Sequence, residues 1–277
     1  MRVKIVADSA ANMYTLDGID FESAPLKIVT NEKEYVDDSN LDVAAMVQEL
    51  SEYKGRSGTA CPGVGDWLSA FEGYDEIYCV TITSVLSGSY NAAMTAKQQY
   101  EEEHPDVKIF VLDSYSAGAE MKLHVEKLKE LILAGKDFET VCKEIKEYQE
   151  NHTALIFCLE SLHNLANNGR VNPAVAKIAG LIGIRMVGDA EGGQLHPTDK
   201  CRGEKKALEG IWRNMKRLGY AGGKLLIDHC YNEKTASALK EIVLAEYPNA
   251  KVELAPTTAL CSFYAEKGGL IIGLETN

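Results

Sequence analysis

The chain has 277 residues, of which 45% are hydrophobic and 25% charged, and its formal net charge is −12. This composition is typical of a globular protein with one large or two ordinary domains. The excess of 41 acidic over 29 basic residues repels phosphate backbones and argues against a nucleic acid partner. No apolar run approaches the ~20 residues that a transmembrane helix needs, so we expect no transmembrane segment.

The cysteines and the N-terminus bear on the cellular compartment. None of the seven cysteines forms a Cys-x-x-Cys pair, so neither a disulfide framework nor a zinc site is indicated. The opening residues MRVKIVADSA lead directly into a strand pattern and lack the apolar core of a signal peptide. We therefore expect a cytoplasmic protein with free thiols.

The first half of the chain alternates strand and helix patterns. Continuous apolar runs suit strands that are buried on both faces of a parallel sheet, and they occur at residues 3–10, 77–84 and 108–115. Amphipathic helical patterns follow at residues 90–103, 116–135 and 138–151. The alternation predicts an α/β domain over residues 1–150, with a parallel sheet and flanking helices.

The pattern changes after about residue 152. Strand patterns occur at residues 154–160, 224–230, 251–257 and 269–275, and residues 184–201 read as a hairpin around a Gly-Gly turn. Helical patterns cover residues 161–169, 202–219 and 233–247. A further helix is predicted from Pro173, with Asn172 as its N-cap. The mixture predicts a smaller α+β domain over residues 151–277.

A loop rich in hydroxyl groups follows the second predicted strand. In ITSVLSGSYNAA, a strand gives way to a helix through Thr83, Ser84, Ser87 and Gly88. Ligands of open parallel sheets bind at the carboxyl ends of the strands, and a helix N-terminus attracts anions. Two interpretations stay open here: the hydroxyls cap the helix, or together they bind an anion.

A second loop, RSGTACPGVGDW at residues 56–67, adds the hydroxyls of Ser57 and Thr59. Its G-x-x-x-x-G spacing is that of a phosphate-binding loop, but Val64 stands where such a loop has Lys. A nucleotide site is therefore not supported. The two hydroxyl-rich loops together favour the anion-binding interpretation.

Two other polar positions stand out. His229 follows Asp228, but neighbouring strand residues point to opposite faces, so we expect His229 to cap the next helix rather than act as a base. Arg170 lies in the polar turn NNGRVN, where it is either solvated or in contact with a partner.

Several motifs, in order along nearly the whole chain, resemble the DegV family of bacterial fatty-acid-binding proteins. The segments that carry the resemblance are VKIVADSAANM, PLKIVTNEKEYVDD, SGTACPGVGDWLSAFE, ITSVLSGSYNAA, VLDSYSAGAEM and SLHNLANNGRVNPAVAKIAGLIGIR.

The resemblance implies a binding protein rather than an enzyme, with a bound fatty acid as its ligand and no other cofactor. A long-chain fatty acid lies between the two domains in this family, and some members present it to a separate kinase subunit. By position, the family's carboxylate-binding Thr and Ser fall on Ser57 and Ser84. Its partner-contacting Arg falls on Arg170.

The chain departs from the family near its C-terminus. The family's H-x-G-P-G motif aligns with YAEKG, so that its histidine becomes Tyr264. A tyrosine can donate a hydrogen bond but does not become cationic near neutral pH. We therefore expect a remodelled head-group site in which Tyr264 takes part.

Two other functions remain open from the sequence. One is a hydrolase or phosphotransferase that uses a loop serine, which needs a base within hydrogen-bonding reach. The other is an interaction module whose pocket is vestigial.

Overall fold

The computed structural model of the protein describes residues 2–172, 174 and 183–277. The helix predicted from Pro173 falls outside these residues. Within them, no helix combines the length and the apolar character needed to cross a membrane.

The elements are numbered in chain order. The strands are β1 Val3–Asp8, β2 Asp20–Ala24, β3 Lys27–Thr30, β4 Glu34–Val36, β5 Ser57–Ala60, β6 Glu76–Thr81, β7 Lys108–Asp113, β8 Thr153–Leu159, β9 Ile184–Glu191, β10 Gln194–Arg202, β11 Leu225–His229, β12 Val252–Pro256 and β13 Leu270–Glu275. The helices are α1 Val43–Glu52, α2 Val64–Phe71, α3 Ser89–Glu103, α4 Ala119–Leu133, α5 Phe138–Asn151, α6 His163–Asn167, α7 Glu204–Arg217, α8 Glu233–Glu246 and α9 Ala259–Ala265.

Three sheets organise these strands. The first half of the chain forms a parallel sheet of order β2-β1-β6-β7 and a small antiparallel sheet of order β4-β3-β5. Strands β8 to β13 form a mixed sheet of order β10-β9-β8-β13-β11-β12, in which only β11 and β12 pair in parallel. The α/β and α+β character expected of the two halves is confirmed, whereas the division near residue 150 stays a prediction.

Helix α4 joins the parallel sheet to the mixed sheet. It contacts β1 and β6 on one side and β8, β11 and β13 on the other. The close approach requires Gly273 in β13, because a Cβ there would lie 2.5 Å from the carbonyl carbon of Ala119. Fully buried side chains of α4, among them Met121, Val125 and Leu128, fill the resulting core.

The sequence patterns located the central strands well and the peripheral elements poorly. The predicted strand over residues 3–10 ends at Asp8, because Ser9–Ala11 form a 3-10 turn that Asp8 caps. Strand β2 and helix α1 were not predicted individually. Strand β2 mixes exposed and half-buried residues, so it lacks the continuous apolar run of its neighbours.

Several carboxyl groups lie buried without a cationic partner within hydrogen-bonding distance among the described residues, and they include Asp8, Asp37, Glu120 and Asp228. Burial raises the pKa of Asp8 and of Glu120 to about 7 and that of Asp228 to about 8. The Oδ2 atom of Asp228 has no hydrogen-bond partner in the described structure. The folded protein therefore holds protons that the unfolded chain releases near pH 4.

We expect the free energy of unfolding to fall as the pH rises from about 4 towards 8, since raised carboxyl pKa values favour the protonated folded state. Each unit of pKa shift corresponds to about 1.4 kcal/mol, so the loss between pH 5 and 8 should reach at least that size. Urea unfolding at pH 5, 6.5 and 8 measures it. Asp228→Asn should flatten the decline, whereas the exposed control Asp106→Asn should not. If the unfolding free energy of Asp228→Asn declined with pH as steeply as that of the native protein, Asp228 would not be a source of the decline.

Candidate functional site

A cavity of about 350 Å³ lies where the three sheets meet. This volume is within the range of about 300–1,000 Å³ that is typical of small-molecule sites. Its wall is mainly apolar, formed by Leu26, Ala60, Cys61, Ile82, Leu86, Ala117, Leu155, Phe157, Leu159, Leu165, Ala190, Leu195, Leu260, Ala265 and Ile271. Such a wall suits a long apolar ligand.

Polar groups of the cavity gather around Thr59, Tyr264 and Arg170. The hydroxyl oxygens of Thr59 and Tyr264 are 2.7 Å apart and share a hydrogen bond. The guanidinium carbon of Arg170 lies 6.0 Å from the centroid of the Tyr264 ring, within cation–π range. Among the described lining residues, Arg170 carries the only charge. This part of the cavity therefore attracts an anion.

Arg170 is held in place by main-chain carbonyl groups. Its Nε donates to the carbonyl oxygen of Leu86 at 3.2 Å, and its Nη1 donates to that of Asn168 at 2.6 Å. The bond to Leu86 ties the turn after α6 to the loop between β6 and α3. The other guanidinium N–H groups form no hydrogen bond with a described residue, so they can donate to a ligand or a partner.

The loop between β6 and α3 is anchored at both ends by the buried carboxylate of Asp8. That carboxylate accepts hydrogen bonds from the N–H of Ile82 at 2.9 Å and from the hydroxyl of Ser89 at 2.6 Å. Between the anchors, the carbonyl oxygen of Thr83 accepts the N–H groups of Leu86 and Ser87, each at 3.2 Å. The loop is thereby fixed in a tight turn that presents its later residues to the cavity.

The N-terminus of α3 faces the cavity. Gly88 is its N-cap residue and lines the cavity, and the hydroxyl oxygen of Ser87 accepts the N–H of Ser89, the first residue of the helix, at 3.3 Å. A 15-residue helix carries about half a positive charge at its N-terminus, and the N–H groups of its first turn can donate hydrogen bonds to an anion. Ser87 adds a hydroxyl at the same place.

The helix that carries Tyr264 is docked by side chains from the first half of the chain. The carboxylate of Asp37 accepts the N–H groups of Ala259 and Leu260, each at 3.0 Å. The Oδ1 atom of Asn12 accepts the N–H of Thr258. These bonds fix the start of α9 relative to the small antiparallel sheet, which supplies Thr59.

The structure brings six of the eight predicted site residues together in the cavity wall: Thr59, Thr83, Ser87, Gly88, Arg170 and Tyr264. Ser57 and Ser84 are not among the described lining residues, so the carboxylate-binding roles that the alignment gives them stay predictions. Ser57 precedes Thr59 by two residues, or about 7 Å along β5, and lines a separate groove. The main-chain N–H of Ser84 donates to Asp113 Oδ1 at 3.0 Å, at the edge of the parallel sheet.

The two interpretations of the hydroxyl-rich loop each hold for different residues. Ser89 is fully buried and serves the fold by donating to Asp8, whereas Ser87 lines the cavity and also accepts the N–H of Ser89 at the start of α3. The expectation that His229 caps a helix is wrong. The N-cap of α8 is Asn232, and His229 Nδ1 has no hydrogen-bond partner among the described residues.

Some lining residues were missed by sequence reasoning. The turn between β9 and β10 reaches across to the parallel sheet, and a Cβ on Gly193 would lie 2.2 Å from Thr83 Oγ1. Gly193 has a φ of +79°, so its turn conformation also favours glycine. The Gly-Gly pair indicated a hairpin, but no local signal indicated which distant residue the hairpin would touch.

Comparison with known proteins places the chain in a family. A family model described as "Uncharacterised protein, DegV family" matches residues 2–276. A DegV domain-containing protein of Streptococcus gordonii is 42% identical over 280 residues, which cover 99% of each chain.

Two similar solved structures contain fatty acids. A DegV family protein from Eubacterium eligens, loaded with heptadecanoic acid, is 43% identical with a TM-score of 0.97 over 99% of this chain and 100% of its own. The Streptococcus pneumoniae Fatty Acid Kinase (Fak) B3 protein, loaded with linoleic acid, is 43% identical with a TM-score of 0.98 over 100% of both chains. The family match over nearly the full length, together with these relatives, shows that the chain belongs to the DegV family.

Proposed function

We propose that this protein binds a long-chain fatty acid in the cavity and presents its carboxylate to a separate kinase subunit. The observation that carries the proposal is the apolar cavity whose single described charge is the cation of Arg170. Full-length similarity to proteins crystallised with heptadecanoic and linoleic acids supports the same ligand class.

The apolar wall accounts for the larger part of the expected affinity. Each methylene that leaves water contributes about 0.8 kcal/mol, so a chain of many methylenes needs no strong head-group contact to bind. The polar groups then determine the orientation of the ligand. Their position near α3 and α9 directs the carboxylate towards the loops, as the family resemblance implies.

The proposed head-group site combines Thr59, Tyr264, Ser87 and Arg170 with the N-terminus of α3. Thr59 and Tyr264 have one hydroxyl proton each, and their mutual hydrogen bond uses only one of them. The other proton is free to be donated to a carboxylate. Burial raises the pKa of Tyr264, so its hydroxyl stays a donor at neutral pH. Tyr264 supplies no cation at neutral pH, so the positive charge of the proposed head-group site comes from Arg170.

The alternatives from the sequence find less support. A hydrolase or phosphotransferase with Ser87 as nucleophile needs a base, and the described lining residues include no His, Asp or Glu. A vestigial pocket does not fit a cavity of about 350 Å³ with its polar groups oriented by hydrogen bonds.

We also propose that the protein acts in the cytoplasm. All seven cysteines are free thiols, as expected where the environment is reducing. A carrier that meets a kinase subunit also needs the compartment in which ATP is available.

The first prediction concerns the native ligand. Protein purified without added lipid and then denatured should release a long-chain fatty acid in a near-stoichiometric amount, because a buried acyl chain dissociates slowly. Mass spectrometry of the organic extract identifies it. If delipidated protein also fails to bind heptadecanoic acid in a calorimetric titration, the proposed function is wrong.

The second prediction separates the two loop serines. Ser87→Ala should weaken heptadecanoic acid binding by about 1–3 kcal/mol, the range for a lost hydrogen bond to a charged group. Ser84→Ala is the matched control and should leave the affinity unchanged. Titration calorimetry on both variants tests this, and the reverse order of effects would restore the site that the alignment gave.

The third prediction concerns the charge of Arg170. Arg170→Gln should weaken the binding of heptadecanoic acid by about 1.5–3 kcal/mol. The affinity for 1-heptadecanol should change little, because only the acid is charged. Equal losses for the acid and the alcohol would indicate damage to the cavity rather than loss of a charge contact.

A further inference from the structure

A second concave surface lies beside the cavity. This surface, called here the α1–α9 groove, runs between α1, the segment 53–57, α6 and the end of α9, and has a volume of about 1150 Å³. Its apolar floor is formed by Ala44, Val47 and Leu50, which are exposed or half-buried and lie over the buried side chains of Met46 and Phe263. The groove is larger than the cavity.

The rim of the groove is cationic although the whole chain has a net charge of −12. Lys54, Arg56 and Lys267 line it, and all three are exposed. None of them forms an ion pair or hydrogen bond with another described residue. The acidic lining residue Glu266 is engaged, since its Oε1 accepts the Ser161 hydroxyl at 2.9 Å and the Asn164 N–H at 3.1 Å. The groove thus offers unpaired positive charge to an incoming molecule.

Tyr231 adds a second, independent feature at the same place. Its side chain is 53% exposed, and its backbone adopts a left-handed conformation with a φ of +52°. Such a conformation is unfavourable for a residue with a Cβ and is concentrated at functional sites. An exposed tyrosine beside cations and an apolar floor is the composition of a protein-binding surface.

The groove and the cavity share two elements. In β5, Ser57 lines the groove and Thr59 lines the cavity. In α9, the neighbouring residues Phe263 and Tyr264 line the groove and the cavity respectively. A molecule bound in the groove would therefore lie next to the Thr59–Tyr264 hydrogen bond of the head-group site.

We propose that the α1–α9 groove is the docking surface for an acidic segment of the partner kinase, with an apolar side chain of that segment seated on the floor. The inference rests on the proposed function, because the partner is the protein that receives the fatty acid. The cationic rim steers the partner to the edge of the cavity where the carboxylate is held.

The experiment loads this protein with heptadecanoic acid and measures its binding to the kinase subunit of the Streptococcus pneumoniae fatty acid kinase. The triple variant Lys54→Glu, Arg56→Glu, Lys267→Glu should weaken association by at least about tenfold at low salt, and less as salt screens the charges. The control Lys200→Glu, Lys205→Glu, Lys251→Glu makes the same change in net charge at exposed positions outside the groove and should have little effect.

The variant Tyr231→Gly distinguishes a role of Tyr231 in docking from a role in the stability of the fold. Glycine accepts the left-handed backbone, so the melting temperature should hold or rise while association with the kinase subunit weakens. The inference would be overturned if the two triple variants weakened association with the kinase subunit equally. It would also be overturned if neither the groove triple variant nor Tyr231→Gly changed the affinity for the kinase subunit. The inference would also be overturned if the groove residues were needed for salt-dependent binding to phosphatidylglycerol vesicles but not for association with the kinase subunit.

The outcomes distinguish the inference from the proposed function. Heptadecanoic acid binding is measured on every preparation, and it should be unchanged in all groove variants because none of their positions lines the cavity. If the groove variants bind the kinase subunit as tightly as the native protein does and fatty acid binding is intact, only the docking surface is rejected. Failure of the native protein to bind the fatty acid rejects the proposed function itself.

Discussion

The site depends on buried carboxylates that accept main-chain N–H groups where elements begin or end. Asp37 holds the first two N–H groups of α9, and Asp8 holds the loop before α3. A buried donor left without its acceptor costs about 1–3 kcal/mol, so each carboxylate determines the position of the segment it binds. Both segments contribute residues to the cavity wall, so these bonds help to shape it.

The cavity therefore forms only when the different parts of the chain are packed together. Its wall draws on all three sheets, and no single sheet with its helices encloses it. A ligand that binds only this assembled form stabilises it in proportion to the logarithm of its concentration over its dissociation constant. Fatty acid occupancy should therefore couple the two halves of the protein more tightly than the contacts of α4 do alone.

The sequence predicts the fold further than it predicts the site. Apolar runs located β1, β6 and β7 within about three residues, because a strand buried on both faces needs an unbroken run. The edge strand β2 has no such requirement and left no signal. The family resemblance then identified the ligand class, since ordered motifs over the whole chain report a shared architecture.

Individual side chains of the site were harder to assign. Alignment selected Ser57 and Ser84, but the cavity receives Thr59 and Ser87, which lie two and three residues further along the same loops. A shift of that size is invisible in one dimension when the loop consists of similar small residues. The contact of the Gly193 turn with Thr83 joins residues 110 positions apart, and only the packing of the sheets decides it.

Cys61 gives the cavity wall a practical property. Its thiol is half-buried and lines the cavity, whereas five of the other six cysteines are buried and Cys142, which is also half-buried, is not among the described lining residues. An acyl chain in the cavity would cover this sulfur, and an empty cavity would leave it open to a small alkylating reagent. The protein thus carries, at a natural position, a chemical reporter of whether it is loaded.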